Sequence, residues 1–205
     1  METIQLKKLI YNHYNLDVNN LKKLNGYDTE NFLVYCKDES NYILKKYPFS
    51  NENLSLVKAE NNCLEYLRKR NKSSYPSPIY TTNNDSFVIF KIKSKKYIVR
   101  LLSYLDGVFL GELDLKRQDL KKVGRFIGNL SKELKNYSND SIASRKWPWD
   151  IQNLSLNKKY LKYIPDPSNR KIVLFFFQQF EEFVFPQLDK LRTSIIHNDT
   201  NEWNI

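Results

Sequence analysis

Short apolar runs separated by polar turns mark the first hundred residues of the chain. The runs 31–36 and 41–45 are rich in β-forming residues and are joined by a short polar stretch, so they predict a β-hairpin. The runs 86–92 and 97–102, joined by a lysine-rich turn, predict a second hairpin. This half of the chain is therefore expected to form a small antiparallel sheet.

Helical spacing occurs at two places in the same half. Residues 4–14 carry apolar side chains at roughly helical intervals and predict a short helix. Ser50 or Asn51 can cap a helix over about 52–69, whose leucines recur on one side. The apolar set 16–24 leads into an Asn-Gly turn without defining an element of its own.

The pattern of the second half is mainly helical. Apolar residues recur at helical spacing over 120–134, which predicts an amphipathic helix, and a loop is expected over 145–150. Ser168 or Asn169 can cap a long helix that Pro186 disturbs. The apolar side of that helix is expected to contain Ile172, Phe176, Phe180 and Phe183. An apolar strand then leads into the C-terminal residues, so the whole order predicts an α+β fold.

Composition limits the classes of protein that the chain can represent. Hydrophobic residues make up 41% and aromatic residues 14% of its 205 residues, as in folded globular proteins. No apolar run is long enough to span a membrane, and the N-terminus lacks the apolar core of a signal peptide, so we expect a cytoplasmic protein. Cys36 and Cys63 are expected to be buried thiols, not a disulfide or a metal pair.

The formal net charge of +10 raises the question of a polyanionic partner. The basic residues are scattered, and Lys is abundant together with Asn, Ile and Tyr, a combination that AT-rich coding produces without any ligand. We therefore expect no nucleic-acid partner and no membrane partner. A basic nucleic-acid-binding protein is kept as an alternative, which a steep salt dependence of RNA or DNA binding would support.

The C-terminal residues contain the most specific motif of the chain. His197, Asp199 and Asn204 reproduce the spacing of a kinase catalytic loop, His-x-Asp followed by four residues and Asn. In such loops the Asp orients a substrate hydroxyl or accepts its proton, and the Asn binds Mg²⁺. Asp199 is therefore the candidate catalytic carboxylate and Asn204 the candidate metal ligand, while His197 is expected to brace the loop by hydrogen bonds. Coincidence is the competing interpretation.

A lysine at the end of a predicted strand is the second candidate. Lys45 closes the run 41–45 and has the position of the kinase lysine that contacts nucleotide phosphates. Glu60, on the following predicted helix, is expected to pair with it. A lysine at a strand end can also be simply solvated, and because Lys46 follows directly, the sequence leaves open which lysine faces the site.

Together these residues give the chain a resemblance to a known family. It resembles the aminoglycoside phosphotransferase-like kinases and, within them, the hydroxylysine kinase branch. The resemblance rests on segments that follow one another in the expected order, namely 26–32, 42–45, 99–107, 149–151 and 197–204. It implies a protein-kinase-like two-lobed fold, with an antiparallel-sheet N-lobe over 1–103 and an incomplete helical C-lobe over 104–205.

The resemblance also implies a reaction and its participants. Such kinases transfer the γ-phosphate of ATP or GTP, with Mg²⁺, to the alcohol group of a small hydroxylated amine or amino acid, here with 5-hydroxylysine as the first acceptor to consider. The turn at 26–32, which begins with Gly26, would lie over the phosphates. The backbone that would contact the purine belongs to Ser103, Tyr104 and Leu105.

The substrate side is expected near the tryptophan-rich loop. Trp149 and Asp150 are the candidates there, together with Trp147, although aromatic packing against a helix is the favoured interpretation of the two tryptophans.

The sequence departs from the family pattern at two points. It has no Gly-x-Gly-x-x-Gly loop, and it ends one residue after Asn204, without the second metal-binding Asp of the family. We therefore expect a fragment, the product of a split gene or a truncated product, with exposed apolar surface and little activity on its own. The alternative is a non-catalytic, pseudokinase-like binding module.

Overall fold

The structure, a computed structural model, describes residues 2–26, 29–70 and 74–205. The chain divides into two compact units, Met1–Asp114 and Leu115–Ile205. The last strand of the first unit ends at Ser103, and the segment 104–114 belongs to that unit as well.

An antiparallel sheet dominates the first unit. Within the described residues it contains six strands: β1 (Val18–Leu24), β2 (Glu30–Cys36), β3 (Asn41–Pro48), β4 (Pro78–Ile79), β5 (Val88–Ile92) and β6 (Lys95–Ser103). The spatial order is β1-β2-β3-β6-β4, and β5 also pairs with β6. Both predicted hairpins, β2–β3 and β5–β6, are confirmed.

The first strand is a feature that alternation along the sequence does not predict. Val18–Leu24 has apolar residues at every third position, not at every second, so neither face of the strand is uniformly apolar. The strand forms because it pairs with β2, and its register shifts between Val18 and Asn20, as expected for an irregular edge strand.

Two helices cover opposite faces of the sheet. One face packs against α1 (Glu2–Tyr14) through a cluster that includes Leu6, Leu9, Ile10, Leu44, Val99 and Leu101. The other face packs against α2 (Asn51–Arg68) through Tyr47, Val57 and Ile98. The hydroxyl of Ser50 accepts a hydrogen bond from the Asn53 N–H at 3.0 Å, which confirms the predicted cap of α2.

The second unit is helical in the described residues. It contains α3 (Arg117–Leu134), α4 (Asp140–Ala143) and α5 (Pro167–Gln179), followed by a π-helical turn (Phe180–Val184), and two 3-10 segments (Ile151–Tyr163 and Phe185–Lys190). The predicted helix over 120–134 is confirmed by α3. Nowhere in the described ranges is a helix both long and apolar enough to cross a membrane.

Two local predictions in this unit are wrong. Asp166, not Ser168 or Asn169, caps α5, because its carboxylate accepts from the Asn169 N–H at 2.7 Å and Pro167 then provides the first helical residue. The expected strand before the C-terminal loop is absent, since residues 192–198 have no regular secondary structure. A strand needs a hydrogen-bonding neighbour, and the described part of this unit contains none.

The apolar side predicted for the α5 helix is only partly buried, because Phe180 is buried while Ile172, Phe176 and Phe183 are exposed. Phe177 and Phe180 are buried, at 5% and 7% exposure. Five other large apolar side chains of this segment are exposed. We call them the phenylalanine face: Ile172, Phe175, Phe176, Phe183 and Phe185. An apolar surface of this kind in a folded protein usually contacts another chain segment or a partner.

Candidate active site

Lys45 and Lys46 are neighbours on β3 and point to opposite faces of the sheet, because successive residues of a strand alternate. Lys45 lies directly opposite Arg100 of β6. Arg100 is two residues after Ile98, so both side chains lie on the face of the sheet that α2 covers. Lys46 pairs with Glu30 instead. The structure therefore places Lys45, and not Lys46, on the same face as α2 and its Glu60.

The Glu60 carboxylate is bound by Arg100. The buried Arg100 guanidinium, 2% exposed, donates to a carboxylate oxygen of Glu60, to the amide oxygen of Asn61 at 2.5 Å and to the hydroxyl of Tyr47 at 2.7 Å. Within the described residues, the expected direct ion pair between Glu60 and Lys45 is not formed. The Glu60 carboxylate is instead bound by Arg100, which lies directly opposite Lys45.

Sequence reasoning missed Arg100 as a site residue, although a signal for it exists. It is the one charged residue in the otherwise apolar run from Tyr97 to Leu102. A charged side chain at such a position is buried only with partners, so it indicates a polar cluster on that face of the sheet.

The surroundings of Lys45 disfavour its charged form. Burial lowers the pKa of the Lys45 ammonium, and the positive charge of Arg100 lowers it further, while the negative charge of Glu60 partly offsets both. A nearby anion, such as a phosphate group, would stabilise the protonated lysine.

The turn between β1 and β2 is tight at Gly26. A Cβ at this position would collide with the backbone oxygen of Thr29 and approach the side chain of Asn31, so glycine is required by the close contact. Asn31 Nδ2 donates to the Asn25 carbonyl at 3.1 Å, and Thr29 Oγ1 donates to Asn31 Oδ1 at 3.0 Å. Residues 27 and 28 of the predicted phosphate turn lie outside the described residues.

A small cavity of about 240 Å³ lies beside this turn, and its lining includes Gly26, Glu30 and Lys46. The ammonium of Lys46 is 2.5 Å from a carboxylate oxygen of Glu30, and that of Lys23 is 3.3 Å from the other oxygen. The hydrogen bond from Lys46 is the main reason why the pKa of Glu30 lies below its ordinary value, and Lys23 lowers it further.

This carboxylate predicts a pH dependence of stability. Because the folded-state pKa of Glu30 is lowered, its contribution is complete above the unfolded-state pKa of roughly 4.3 and is lost as the pH falls through the folded-state value. We expect the difference in urea midpoint between wild type and Glu30→Gln to be constant from pH 7 to 5 and to shrink below about pH 4. A difference that stays unchanged down to pH 3 would contradict this prediction.

Ser103 joins the sheet to the segment expected to contact a purine. Its hydroxyl accepts a hydrogen bond from the Ser77 N–H, and its own N–H donates to the Ser77 carbonyl, both at 2.9 Å. Tyr104 is half-buried, Leu105 is exposed, and both lie beyond the strand without regular secondary structure. The two hydrogen bonds fix the point at which this segment leaves the sheet.

The predicted catalytic loop in the second unit folds around the Asp199 carboxylate. Asn204 Nδ2 donates to Asp199 Oδ2, and Asn201 Nδ2 donates to Asp199 Oδ1, both at 2.8 Å. The Asp199 N–H points to His197 Nδ1 at 3.4 Å, and Asn198 has a left-handed φ of 62°, which asparagine tolerates. The structure thus brings His197, Asp199 and Asn204 together, and His197 contacts the loop backbone.

The donor atoms of this loop suit Mg²⁺, which prefers hard oxygen ligands and keeps several waters and substrate phosphates in its shell. The Asn204 nitrogen is the donor to Asp199, so Asn204 Oδ1 is the atom that can bind a cation. No cluster of three or more His, Cys, Asp or Glu residues suited to a metal occurs in the described chain, this loop included. The residues therefore fit a metal shared with a phosphate ligand, not an all-protein cage.

Of the residues expected on the substrate side, Asp150 has a structural role in its own segment. The Asp150 carboxylate caps the 3-10 segment that follows, accepting from the Gln152 N–H at 3.0 Å and from Asn153 Nδ2 at 3.2 Å. Trp149 is 67% exposed, so packing does not bury it, whereas Trp147 is half-buried and its ring lies 3.8 Å from the Arg145 guanidinium. A contact of Trp149 or Asp150 with substrate stays a prediction.

Comparison with known sequences places this site in context. The chain matches the phosphotransferase enzyme family over residues 21–205. Hydroxylysine kinase of Mus musculus is 27% identical, and the match covers 98% of this chain and 57% of that protein. Hydroxylysine kinase of Xenopus laevis is 29% identical with the same coverage. The chain therefore spans little more than half the length of the curated relatives it matches.

Solved structures with a similar fold are also kinases of small molecules. Amicoumacin kinase hAmiN, in complex with AMP-PNP, Ca²⁺ and Ami, has a TM-score of 0.67 at 20% identity, covering 94% of this chain and 55% of that one. The microcompartment-associated aminopropanol kinase has a TM-score of 0.56 at 19% identity, covering 72% and 46%. The predicted α+β, kinase-like fold is confirmed, and the match over residues 21–205 shows that the chain belongs to the phosphotransferase enzyme family.

Proposed function

We propose that this chain carries the nucleotide-binding unit and the catalytic loop of a kinase for a small hydroxylated amine or amino acid. The donor is ATP or GTP with Mg²⁺. 5-Hydroxylysine is the first acceptor to test, because the relatives with 27% and 29% identity are hydroxylysine kinases. The observation that carries the proposal is the Asp199 carboxylate, held by two amide groups at 2.8 Å within a His-x-Asp loop.

Asp199 acts at the acceptor end of the reaction. The acceptor oxygen has to approach in line with the γ-phosphate and lose its proton as the new O–P bond forms. A carboxylate whose two oxygens are fixed by Asn201 and Asn204 can orient the hydroxyl and accept this proton. His197 acts indirectly, by its contact with the backbone of the loop.

Lys45 acts at the nucleotide end. Phosphoryl transfer depends mostly on positioning and on electrostatic stabilisation of the phosphate oxygens. Lys45 provides positive charge, the turn at Gly26 lies over the phosphates, and the backbone of 103–105 contacts the base. Asn204 would hold Mg²⁺, which would supply positive charge against the phosphate oxygens when bound.

We propose that phosphotransfer requires a polypeptide longer than these 205 residues. The curated relatives are longer, since the match covers only 57% of each. The phenylalanine face is exposed in this chain, and an added segment of a longer protein would cover it. The non-catalytic alternative is not favoured, because the catalytic loop retains its Asp and Asn in a hydrogen-bonded arrangement.

Transfer of labelled γ-phosphate from ATP and from GTP tests the proposal, with 5-hydroxylysine, aminopropanol and an aminoglycoside as acceptors. The 205-residue chain is compared with the longest form of the protein that can be expressed. We expect the longer form to phosphorylate one acceptor and the chain alone to be at least about a hundredfold slower. Binding of Mg²⁺–nucleotide without transfer to any hydroxylated amine or amino acid would contradict the proposal and favour a binding module.

A further inference from the structure

The turn between β1 and β2 contains a pair of residues whose own chemistry the proposed reaction does not use. Asn25–Gly26 is the one Asn-Gly pair of the sequence, and both residues are exposed. The peptide nitrogen that follows an asparagine can attack the amide carbon of that asparagine's side chain, and a side chain on the next residue hinders the attack. Gly26 has no side chain, so the attack at Asn25 is unhindered.

Packing retains the glycine of this pair. A Cβ at Gly26 would collide with the backbone oxygen of Thr29 and would lie 2.8 Å from Asn31 Nδ2. A larger residue therefore fits there only if the backbone of the turn moves. The fold thus preserves the residue that makes Asn25 reactive.

The carbonyl group of Asn25 accepts a hydrogen bond that favours the attack. Asn31 Nδ2 donates to this oxygen at 3.1 Å, and Thr29 Oγ1 holds the Asn31 side chain by donating to its Oδ1 at 3.0 Å. The Gly26 nitrogen has to lose its proton before it attacks, and peptide resonance then places negative charge on the Asn25 carbonyl oxygen. Because a hydrogen bond to a charged acceptor is stronger than one to a neutral acceptor, Asn31 stabilises the reactive form more than the resting form.

Charged side chains beside the turn act in the same direction. Gly26 lines the cavity of about 240 Å³ together with Lys23, Lys46 and Glu30. Two ammonium groups and one carboxylate leave a net positive charge there, and positive charge favours the loss of a proton from a nearby group. Since Asn25 and Gly26 are exposed, water also reaches the product of the attack.

We propose that Asn25 is a site of spontaneous deamidation, which gives the turn a negative charge. The Gly26 nitrogen gives its proton to water and bonds to Asn25 Cγ, and the side-chain nitrogen takes up a proton and leaves as ammonia. Water then opens the succinimide ring at either of its carbonyl groups and leaves aspartate or isoaspartate at position 25. The net reaction consumes one molecule of water and releases one of ammonia. The effect on nucleotide binding, unlike the modification itself, rests on the proposed function, in which this turn lies over the phosphates.

Peptide mapping by mass spectrometry tests the modification in the folded 205-residue chain, kept at mildly basic pH and physiological temperature. We expect the peptide that contains Asn25 to gain about one dalton, as both aspartate and isoaspartate, with release of an equal amount of ammonia. Asn129 is the internal reference, because it is exposed but is followed by Leu130, and it should keep its amide. An Asn25 peptide that converts no faster than the Asn129 peptide overturns the inference.

Asn31→Asp tests the assistance by the neighbouring amide. A carboxylate cannot donate to the Asn25 carbonyl and places a negative charge beside it, so we expect the conversion of Asn25 to slow about tenfold. Asn19→Asp makes the same change at an exposed position of β1 and is expected to keep the wild-type rate. If Asn31→Asp does not fold, Thr29→Val takes its place, since loss of the Thr29 hydroxyl releases the Asn31 side chain and is expected to slow conversion about threefold. A folded variant with an unchanged rate overturns the mechanism.

Nucleotide binding gives the functional readout. Asn25→Asp introduces the charge of the deamidated product, and we expect it to weaken the Kd for Mg²⁺–AMP-PNP about tenfold, because the new carboxylate repels the phosphates. Asn25→Gln keeps a neutral amide that cyclises far more slowly, and it is expected to keep the Kd within about threefold of wild type. Deamidated protein and Asn25→Asp that both bind as the wild type does would overturn the functional effect.

The outcomes separate this inference from the proposed function. If the wild type binds no nucleotide at millimolar concentration, the proposed function fails, whereas the mass of the Asn25 peptide still shows whether the residue is deamidated. If nucleotide binds and Asn25 keeps its amide, this inference fails while the proposed function stands.

Discussion

Replacing Asp199 by asparagine is expected to lower kcat at least about a thousandfold in the form of the protein that shows phosphotransfer. This corresponds to about 4 kcal/mol of transition-state stabilisation. The amide has nearly the shape of the carboxylate, but it cannot accept the proton of the acceptor hydroxyl, and it has no negative charge to orient that hydroxyl. The Kd for Mg²⁺–AMP-PNP should change less than about threefold, because Asp199 acts at the acceptor end.

Glu202→Gln is the matched control for this variant. Glu202 is an exposed carboxylate three residues further along the same loop, and the substitution makes the same change from carboxylate to amide. Steady-state kinetics and calorimetric titration of the nucleotide are measured for both variants. Undiminished turnover in Asp199→Asn, or an equal loss in both variants, would show that Asp199 is not the catalytic carboxylate.

Short sequence patterns predict much of this fold because the contacts that form these elements join residues close together in the sequence. The hairpin of β2 and β3 follows from two β-forming runs with a polar turn, and the start of α2 follows from the hydroxyl of Ser50 bonding to a backbone N–H only three residues away. The strand β1 could not be predicted in this way, because it depends on pairing with β2 and not on its own alternation.

The candidate site was predictable to a different extent in each unit. The loop from His197 to Asn204 is continuous in sequence, so its spacing alone brings the carboxylate and the amide together. The cluster around Lys45 depends on register, which sets Lys45 opposite Arg100 and brings Glu60, forty residues before Arg100 in sequence, to the same point. A contact of that separation leaves no periodic signal in a single sequence.

The missing strand before the catalytic loop and the exposed apolar residues of α5 have a common physical cause. An apolar run predicts burial, but it does not specify what the buried surface contacts. Ile196 is 54% exposed and Phe176 is 62% exposed because the described part of this unit supplies no strand or helix to cover them. The same pattern in a longer protein would be expected to pair and pack.

The second large effect is expected for Lys45→Met. Loss of a charge-assisted contact with phosphate costs about 1.5–3 kcal/mol, which weakens Mg²⁺–AMP-PNP binding between roughly tenfold and a hundredfold. Methionine is a suitable replacement because it keeps most of the side-chain volume on the α2 face and removes only the ammonium. Calorimetric titration measures the Kd, and a thermal melt without nucleotide verifies that the variant is folded.

Lys46→Met is the decisive comparison, since the two lysines are adjacent in sequence but lie on opposite faces. In the wild type the Lys46 ammonium is 2.5 Å from the Glu30 carboxylate, which also contacts Lys23. The Lys46→Met substitution should therefore raise the pKa of Glu30. The Kd for Mg²⁺–AMP-PNP should stay within about threefold of wild type. The reverse result, a loss of binding in Lys46→Met and none in Lys45→Met, would move the phosphate site to the cavity beside Gly26.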